Sequence, residues 1–575
     1  MAFSLSEAQD LEQQIIMATD VFVEHSNPET LQTLNQQIER FEPQLSSKNE
    51  YYEFIYLLVN KGYYLKQNNQ ITHAIQAYEK AYALYKKHRV LEFDIVEYCL
   101  IDLGILYHRT NNYTNAENSI KQYLFIAEKN NNVSQQIKGA KNLANLYQKL
   151  GKHKSAIAIV DKALHIKNLT SSKQLELHLL KTQSEIALNT QNTLADHAIL
   201  TQNEASGFTK HQAVYLLSKQ KGDYTVALAH FNELKHYQNS RSQSIVDLAK
   251  FKFEEAQLYY LLGDKSTCAE HLQTALKILI PKIKVQNGLP HKDLLFAENT
   301  FIDIFDLLAE LQTNPENALA CYDLSFYVSE LLDKNITDQQ GKLINLTQNR
   351  NRSERCISAL YELSGSSDSI IHIARAFGFS ERHKAAILKG VINKKSLLEN
   401  HPKDGLLLRQ QDLFNTQDAL RFKLIKMPYS PETASKINSL RDSINTIAVA
   451  LKTLNTAIEK RYPTVIKTAS FKSIREKLKE DNATLVEYFF GKTNIYQFVI
   501  SESTAKLIKI ALTDKNRKSI ANFINYFNTA SAINNDVPQY TKDAFELYKI
   551  LQLNQVKDKK NLIIIPRRLL KFYSF

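Results

Sequence analysis

Apolar residues between positions 50 and 335 recur with the period of an α-helix, and a small one is repeatedly followed four positions later by a large one. This spacing places both members of a pair on one face of a helix. Successive pairs lie 42, 40, 39, 32, 41 and 50 residues apart, which predicts a repeat array. The pairs are Ala74 with Tyr78, Ala116 with Ile120, Ala156 with Val160, Ala195 with Ile199, Ala227 with Phe231, Cys268 with Leu272, and Ala318 with Tyr322.

A second pattern lies about twelve residues upstream of the small position in several repeats, where another small residue is followed by an aromatic one. The examples are Ala144 with Tyr147, Ala256 with Tyr259, and Gly104 with Tyr107. Each repeat is therefore predicted to be a pair of helices. Helix pairs that bury their apolar faces only against their neighbours form a solenoid, which leaves a concave surface for a partner.

The repeat from Asn142 to Ala163 contains N-L-A-N-L-Y followed by L-G-K, and it resembles a tetratricopeptide repeat. The stretches Gly62 to Ala81 and Ala256 to Ala275 are similar to that repeat as well. The resemblance covers residues 50–335 and is poor around Ala195 and Ala318, so a stack of helical hairpins without tetratricopeptide geometry stays as the alternative. The resemblance implies that a protein or peptide binds in the groove of the array.

Some tetratricopeptide domains hold a C-terminal carboxylate with Lys and Asn on the first helices of successive repeats. Lys141 and Asn145 stand one helical turn apart in such positions, but Lys181, Thr209 and Ala213 break the pattern in the following repeats. A carboxylate clamp is therefore not expected. The candidate peptide-binding residues are Lys138, Lys141, Asn145 and Gln148, and the competing interpretation is an ordinary solvated helix face.

Residues 336–470 lose the repeat register and are predicted to form a helical linker. The small polar segment 364–369 predicts a loop, and Ser380 has the character of an N-cap for a helix over 380–392. A seam with steps of 3 and 4 is predicted to pair as an antiparallel hairpin with residues 406–420, with a self-associating coiled coil as the rival. The seam consists of Ile437, Leu440, Ile444, Ile447, Leu451, Leu454 and Ile458.

Beyond residue 470 the apolar pattern becomes strand-like. The runs 483–490 and 494–500 flank Gly491-Lys492-Thr493 and predict a β-hairpin, and 505–512 is a third short run. Helical stretches follow around 520–526 and 541–553, before an apolar strand at 562–565. The predicted fold is therefore mostly α, with a helical cap (1–49), a tetratricopeptide-like α-solenoid (50–335), a helical linker and hairpin (336–470) and a small, incomplete α/β domain (471–575).

Three segments of this last half resemble the CHAT family. The segment 380–388 is similar to the E-x-x-K-[AS]-x-x-L helix that precedes CHAT domains, and T-L-V-E-Y-F at 484–489 and I-I-I-P at 563–566 resemble the first strands of the domain. CHAT domains resemble caspases and separases, and they are cysteine peptidases or inactive relatives in which a His activates a Cys. The resemblance spans residues 377–575 and implies a partial CHAT domain that stops before this His and Cys.

The chain departs from the CHAT pattern after Pro566, which is followed by two arginines where the family's P-[DH]-G sequence has [DH]-G. The four cysteines, Cys99, Cys268, Cys321 and Cys356, lie in predicted helices and not in the small-residue context of the family's nucleophile. We therefore expect a protein-interaction scaffold without peptidase activity. The alternative is that the chain is a fragment of a tetratricopeptide-CHAT cysteine peptidase whose catalytic half lies beyond residue 575.

Other chemistry finds little support. H-E-x-x-H and C-x-x-C motifs are absent, so neither a metal nor another cofactor is predicted. Gly491-Lys492-Thr493 is similar to the end of a phosphate-binding P-loop, but Val486 stands where that loop needs glycine. Because the segment is a predicted hairpin turn and not a strand-to-helix junction, its amides are not expected to converge on a phosphate.

Composition and charge argue against several further classes of fold and function. With 14 Gly and 11 Pro in 575 residues, the chain has too few turn residues for a β-sandwich or barrel. The net charge is +12, but residues 549–575 carry seven basic residues against one acid, which disfavours nucleic-acid binding along the repeats. The acid- and glutamine-containing start, M-A-F-S-L-S-E-A-Q-D-L-E-Q-Q, lacks an export signal, and no run is apolar enough to span a membrane, so a cytoplasmic protein is expected.

Overall fold

The computed structural model describes residues 10–188, 207–237, 244–281, 285–286, 288–334, 336, 339–365, 369–382, 384, 386–463, 470–528, 531–556 and 561–565. The protein is mostly helical and has a small mixed sheet near its C-terminal end. It divides into two compact units. The first contains Met1–Leu307, Tyr327–Lys342 and Leu398–Tyr462, and the second contains Leu308–Phe326, Leu343–Leu397 and Pro463–Phe575.

The repeat region is built from helices paired through short turns. In chain order the helices are α1 (Leu11–Glu24), α2 (Pro28–Phe41), α3 (Lys48–Gln67), α4 (Ile71–His88), α5 (Ile101–Arg109, preceded by a π-helical turn at Val96–Leu100), α6 (Tyr113–Lys129), α7 (Val133–Lys149), α8 (His153–Leu164), α9 (Ser171–Ala187), α10 (Gly207–Lys221), α11 (Tyr224–His236), α12 (Ile245–Leu261), α13 (Lys265–Leu279), α14 (Asn299–Leu311) and α15 (Pro315–Asp333). Two short strands, β1 (Val285–Gln286) and β2 (Leu289–Pro290), pair between α13 and α14.

The predicted small–large pairs form the core of this array. Six of the seven pairs lie in the described part of the chain, and all twelve of their residues are buried. The pair Ala195 and Ile199 lies outside the described residues. Gly62 shows why the small residue is needed, because a Cβ at this position would meet the ring of Tyr78 on the partner helix at 3.0 Å. The predicted helix pairs are thus confirmed where the structure describes them.

Five of the turns within these helix pairs share one conformation. At each, a residue adopts a positive φ, and the amide of the next residue donates to the carbonyl five residues earlier, which is a Schellman helix end. The turn residues are Asn69, Asn111, Gly151, Gly222 and Gly263, spaced 42, 40, 71 and 41 residues apart. Because Asn tolerates the left-handed region, the chain makes this turn repeatedly with few glycines.

A separate helical hairpin also belongs to the first unit. It consists of α19 (Gly405–Lys426) and α20 (Pro431–Arg461), and its antiparallel sense follows from Gln410, which donates to Asn455 at 2.6 Å, and Gln417, which donates to the carbonyl of Ile444 at 3.3 Å. The predicted antiparallel hairpin is confirmed. Five residues of the seam are buried, namely Ile437, Ile444, Leu451, Leu454 and Ile458.

The second unit surrounds a sheet in the order β5-β4-β3-β6. Its elements are α16 (Gln339–Leu363), α17 (Ser369–Glu381), α18 (Ala386–Asn400), α21 (Phe471–Glu480), β3 (Thr484–Phe490), β4 (Asn494–Ile500), β5 (Ala505–Ala511), α22 (Asp514–Asn525), α23 (Ser531–Asn535), α24 (Val537–Ile550) and β6 (Leu562–Ile565). Strands β3, β4 and β5 are antiparallel neighbours, and β6 is parallel to β3. The predicted hairpin and the strand before Pro566 are confirmed, while Pro566 lies outside the described residues.

Helices cover both faces of this sheet, and the side chains of β3 and β4 are buried on both faces. Val486 and Tyr488 point to one face, where they share a core with Phe523 of α22 and Leu547 of α24. On the opposite face Phe377 of α17 packs edge-on against Phe498, and Tyr361 of α16 against Tyr496. A sheet buried on both faces is typical of α/β architecture.

The prediction that a helix starts at Ser380 is wrong. Ser380 was expected to cap the start of a helix over 380–392, but α17 runs through it to Glu381 and the next helix begins at Ala386. The hydroxyl of Ser380 is buried and donates to the carboxylate of Glu487 at 2.9 Å. The side chain of Ser380 therefore makes a tertiary hydrogen bond instead of capping a helix.

Candidate interaction surfaces

Helix α7 carries all four candidate peptide-binding residues. It begins after Asn132, whose side chain accepts a hydrogen bond from the amide of Gln135 at 3.2 Å. Its apolar face is buried in the array through Ile137, Ala140, Leu143, Ala144, Leu146 and Tyr147. The candidates Lys138, Lys141, Asn145 and Gln148 follow one another at steps of 3, 4 and 3, so they form one stripe along the helix.

Three of these four side chains connect α7 to the first helices of neighbouring repeats. Lys138 lies 2.6 Å from Glu97 in the preceding repeat, and Lys141 pairs with Glu176 of α9. Gln148 donates to the carbonyl of Leu180 at 2.7 Å and to Ser184 at 2.9 Å, and Asn145 is exposed. The two ion pairs are well hydrated, and such pairs contribute about 0–1 kcal/mol each. An acidic ligand could therefore replace Glu97 or Glu176 at small cost.

Sequence reasoning missed two further residues of the same kind. Gln148 lies three residues before the turn residue Gly151, and Lys66 and Lys219 hold the same place before Asn69 and Gly222. Lys66 lies 2.6 Å from Asp102 of α5, and Lys219 donates to Gln257 of α12 at 2.7 Å. The signal that finds these bridging side chains is their constant offset from the turn.

A second surface lies where α20 contacts α4 and α6. The carboxylate of Asp442 accepts hydrogen bonds from Lys86 at 2.7 Å, Gln122 at 2.8 Å and Tyr82 at 3.1 Å. Burial and this neighbouring carboxylate raise the pKa of the Tyr82 hydroxyl well above its ordinary value. The sequence offered no signal for this surface, since its two sides are more than 300 residues apart.

Asn445, one turn further along α20, also contacts α6. Its side-chain oxygen accepts from the amide of Asn118 at 3.1 Å, and its own amide lies 3.5 Å from both Ser119 and Gln122. Lys86 also reaches the hydroxyl of Thr446 at 3.0 Å. These hydrogen bonds between α20 and the repeats come from Asp442, Asn445 and Thr446, which lie within about one turn.

A cleft of about 450 Å³ lies among α2, α3 and α4. Its polar lining includes Asn35, Lys61, His73 and Lys80, beside aliphatic groups such as Leu58. Burial and the nearby ammonium of Lys80 lower the pKa of Lys61. Lys80 itself pairs with Glu42 at 2.7 Å. The cleft combines positive charge with an apolar wall.

In the second unit, the turn between β3 and β4 holds a carboxylate. Glu354 of α16 accepts from the amides of Lys492 at 2.5 Å and Thr493 at 3.0 Å, and from the hydroxyl of Thr493 at 3.1 Å. The sequence argued only against a phosphate at these amides and did not predict the carboxylate that they bind. They form a small anion-binding nest, and the anion is a side chain of the same chain.

The helix and strand segments that resemble CHAT proteins meet through charged side chains. Lys384 lies 2.6 Å from Glu381 and 3.1 Å from Glu487 of β3, and Glu487 also accepts from Ser380. Glu487 is fully buried. The glutamate and lysine of the E-x-x-K sequence thus act together with the glutamate of T-L-V-E-Y-F in one ion-paired cluster.

The four cysteines are buried and unbridged. Burial raises the pKa of Cys268 and of Cys321 to about 11, and it raises the pKa of Cys99 well above its usual range. A thiol that stays protonated is a poor nucleophile. Over the described ranges, we find neither a cluster of three side chains suited to a metal ion nor a helix with the length and apolar character needed to cross a bilayer.

Comparisons with known proteins agree with the helix pairing. A family model for the tetratricopeptide repeat matches residues 55–88, which form α3 and α4, and residues 142–168, which span the end of α7 and α8. The chain therefore contains tetratricopeptide repeats. The matches fall on two of the three segments that resemble the repeat in sequence, and the third, Ala256 to Ala275, forms a helix pair with the same turn.

A solved structure, of a tetratricopeptide repeat protein from Parabacteroides merdae, is similar to this chain at 18% sequence identity. The similarity covers 49% of this chain and 98% of that protein, with a TM-score of 0.28. None of the curated proteins matches the chain.

Proposed function

We propose that this chain is a cytoplasmic protein-interaction scaffold that binds a protein or peptide through its tetratricopeptide array. The observation that carries the proposal is the pair of matched repeats within a series of helix pairs joined by one recurring turn. Such arrays expose long surfaces and bind protein partners with them. In this proposal residues 50–335 bind the partner, residues 336–470 connect, and residues 471–575 form a catalytically incomplete CHAT-like domain.

The proposed ligand is an acidic peptide that lies along α7. Lys138 and Lys141 present two ammonium groups one turn apart, with the exposed amide of Asn145 on the next turn. Each lysine now pairs with a half-exposed glutamate, so a ligand carboxylate would exchange one ion pair for another. Charge complementarity of this kind favours acidic over neutral peptides.

Two observations support the CHAT-like part of the proposal. The segments that resemble the family are joined by the contacts of Lys384 and Glu487, and the sheet has helices on both faces. The buried thiols with raised pKa values support the absence of peptidase activity. Neither a metal nor another cofactor enters the proposal.

One observation favours the alternative, a fragment of a tetratricopeptide-CHAT cysteine peptidase. The strand β6 is parallel to β3, and its residues Leu562, Ile563 and Ile564 are 39–45% exposed. A parallel strand with apolar exposed side chains is suited to pairing and packing with further elements. A coding sequence that continues beyond the codon for Phe575 and encodes a Cys in the small-residue context of the family would support the alternative. Thiol-dependent cleavage of fluorogenic peptides by the purified 575-residue chain itself would overturn the proposed absence of peptidase activity.

The scaffold proposal is tested by measuring the binding of a short peptide rich in Asp and Glu to the full chain, beside a counterpart with Asn and Gln. We expect the acidic peptide to bind more tightly, and Lys138→Glu with Lys141→Glu to weaken it at least tenfold. Lys154→Glu with Lys162→Glu on α8 changes the net charge equally and should leave binding unchanged. Equal loss in both double variants would reject α7 as the binding site.

A further inference from the structure

The helix α20 binds the repeats with polar side chains while its apolar seam is buried. The contacts to α4 and α6 come from Asp442, Asn445 and Thr446, which follow one another within about one turn. A helix that packs permanently into a core normally does so with its apolar stripe. Through Asp442, Asn445 and Thr446, α20 therefore binds α4 and α6 as a separate peptide ligand would.

The repeat side of the contact is built to receive a carboxylate. Tyr82 and Lys86 stand one turn apart on α4, Gln122 comes from α6 of the next repeat, and all three donate to the carboxylate of Asp442. Two successive repeats therefore share one acceptor. Hydrogen bonds to an ionised group are stronger than neutral ones and fix its position.

A second subsite receives an amide. Asn118, Ser119 and Gln122 surround the side chain of Asn445 and are buried. A buried polar group without a partner is destabilising, because the loss of its hydration is not compensated. An apolar helix on this surface would leave these three groups unpaired, so the surface selects a helix that carries a polar side chain one turn beyond its carboxylate.

Two more charges extend the complementarity. Arg441 lies in the field of Glu117 on α6, and Lys452 lies in that of Glu79 on α4. Positive residues of α20 thus face acids of the repeats on either side of the Asp442 contact. The surface is therefore complementary to a helix with four features in order. These are a basic residue, an acidic residue directly after it, an amide three residues later, and a second basic residue further along.

The contact is also one that can open. The ion pair of Lys86 and Asp442 keeps about a quarter of each side chain exposed. Water replaces these hydrogen bonds when they break, so opening the contact costs much less than the strength of the bonds in isolation. Release of α20 would expose groups that water solvates well.

We propose that the surface of α4 and α6 now covered by α20 recognises a partner helix that carries a carboxylate and an amide in the positions of Asp442 and Asn445, and that this partner displaces α20. The inference deepens the proposed scaffold function and rests on it. It assigns a second binding surface, distinct from the stripe on α7.

The test uses the full chain and, as the probe, a fluorescent peptide with the sequence of residues 431–461. Asp442→Ala with Asn445→Ala in the full chain weakens the internal helix and leaves α4 and α6 intact. We expect the peptide to bind this variant at least tenfold more tightly than it binds the unaltered chain. Adding Lys86→Ala and Gln122→Ala should abolish that binding. Ser435→Ala with Ser439→Ala, on the exposed side of α20, is the matched control and should give no gain.

Hydrogen exchange provides a readout that does not depend on peptide binding. In Gln122→Glu, a carboxylate faces Asp442 from the repeat side, so amides of 431–461 should exchange faster while those of α4 stay protected. Unchanged exchange, or peptide binding that is equal in all variants, would overturn the inference. Swapping of α20 between two copies of the chain, detected as dimers of the Asp442→Ala variant, would also count against a separate partner.

The outcomes separate the two proposals. If the α20 peptide binds as expected but acidic peptides ignore Lys138 and Lys141, the α7 site fails and the surface of α4 and α6 stands. If acidic peptides bind through α7 and the α20 peptide binds none of the variants, only the inference fails.

Discussion

The ammonium of Lys384 lies 3.1 Å from the carboxylate of Glu487, and this contact joins the segment that follows α17 to the inner strand β3. Glu487 is fully buried, whereas Lys384 also reaches the more exposed Glu381. A carboxylate inside a sheet requires such a partner, because its desolvation is costly. The lysine of the E-x-x-K sequence therefore has a structural role in holding the helix on the sheet.

Lys384→Met should destabilise the second unit by about 3 kcal/mol, because it removes an ion pair from the fully buried carboxylate of Glu487. Urea unfolding followed by hydrogen exchange of β3 measures this loss. Glu381→Gln removes the partly exposed carboxylate from the same lysine and should cost less than about 1 kcal/mol. Equal losses in both variants would contradict the assigned role of Glu487.

Gly491→Ala should separate the β3–β4 turn from α16. A Cβ at this position would overlap the carboxylate of Glu354, which the turn amides hold. We expect a loss of about 2 kcal/mol, in the range of overpacking and of broken buried polar contacts. Gly390→Ala is the control, since a Cβ there meets nothing within 4 Å and alanine favours the helix. A melting temperature lowered equally by both changes would contradict this account.

The recurring turn makes a prediction about asparagine and glycine. At Gly263, with φ of 86°, alanine should cost about 1–2 kcal/mol, because a Cβ is strained in the left-handed region. At Asn69, with φ of 57°, glycine should be close to neutral, whereas alanine should be destabilising. Thermal unfolding of the three variants measures these differences. Tolerance of alanine at both positions would show that the turn is not the constraint.

These turns also show how far the sequence predicts the structure. The period of the small–large pairs predicts the helix pairs, because burial on one helix face is a local rule. The same is true of the strands around Gly491, whose β-branched and aromatic runs flank the turn and pair as the predicted hairpin. The structure adds the turn conformation, in which Asn69 and Asn111 adopt the left-handed backbone that glycine usually supplies.

Sequence reasoning fails where a side chain has a distant partner. Ser380 has the character of a helix cap, but its partner Glu487 lies 107 residues away. The four candidate residues on α7 stay a prediction, which began from Lys141 and Asn145 standing one turn apart on one helix. The α20 surface was missed because Asp442 meets its donors from positions 320 to 360 residues earlier, and no local pattern encodes that contact.

His108 should make stability depend on pH. Burial lowers the pKa of His108 from 6.5 to about 4, and the nearby Lys250 and Lys149 lower it as well. The charge of Glu298 acts in the opposite direction but does not outweigh them. Between these values the unfolded chain takes up a proton and the folded protein does not, so stability is present above pH 6.5 and is lost as the pH falls toward 4.

The loss amounts to about 3 kcal/mol for this single group. Urea unfolding at pH 7, 6, 5 and 4 should therefore show a steeper decline for the unaltered chain than for His108→Gln. His25→Gln, at an exposed position, is the matched variant and should keep the steep decline. Parallel curves for His108→Gln and the unaltered chain would contradict the assignment of the low pKa to His108.

The strand β6 should make the chain prone to association. Leu562, Ile563 and Ile564 are partly exposed, and β6 pairs with β3 on one side in the described sheet order, where it forms an edge. An exposed apolar edge strand is a template for pairing with another chain, and a lysine on such a strand opposes it. Ile564→Lys should therefore lower the concentration-dependent association measured by analytical ultracentrifugation. Val537→Lys, at a similarly exposed apolar position on α24, adds the same charge and should have less effect. An equal reduction by both variants would mean that net charge, and not the edge of β6, controls association.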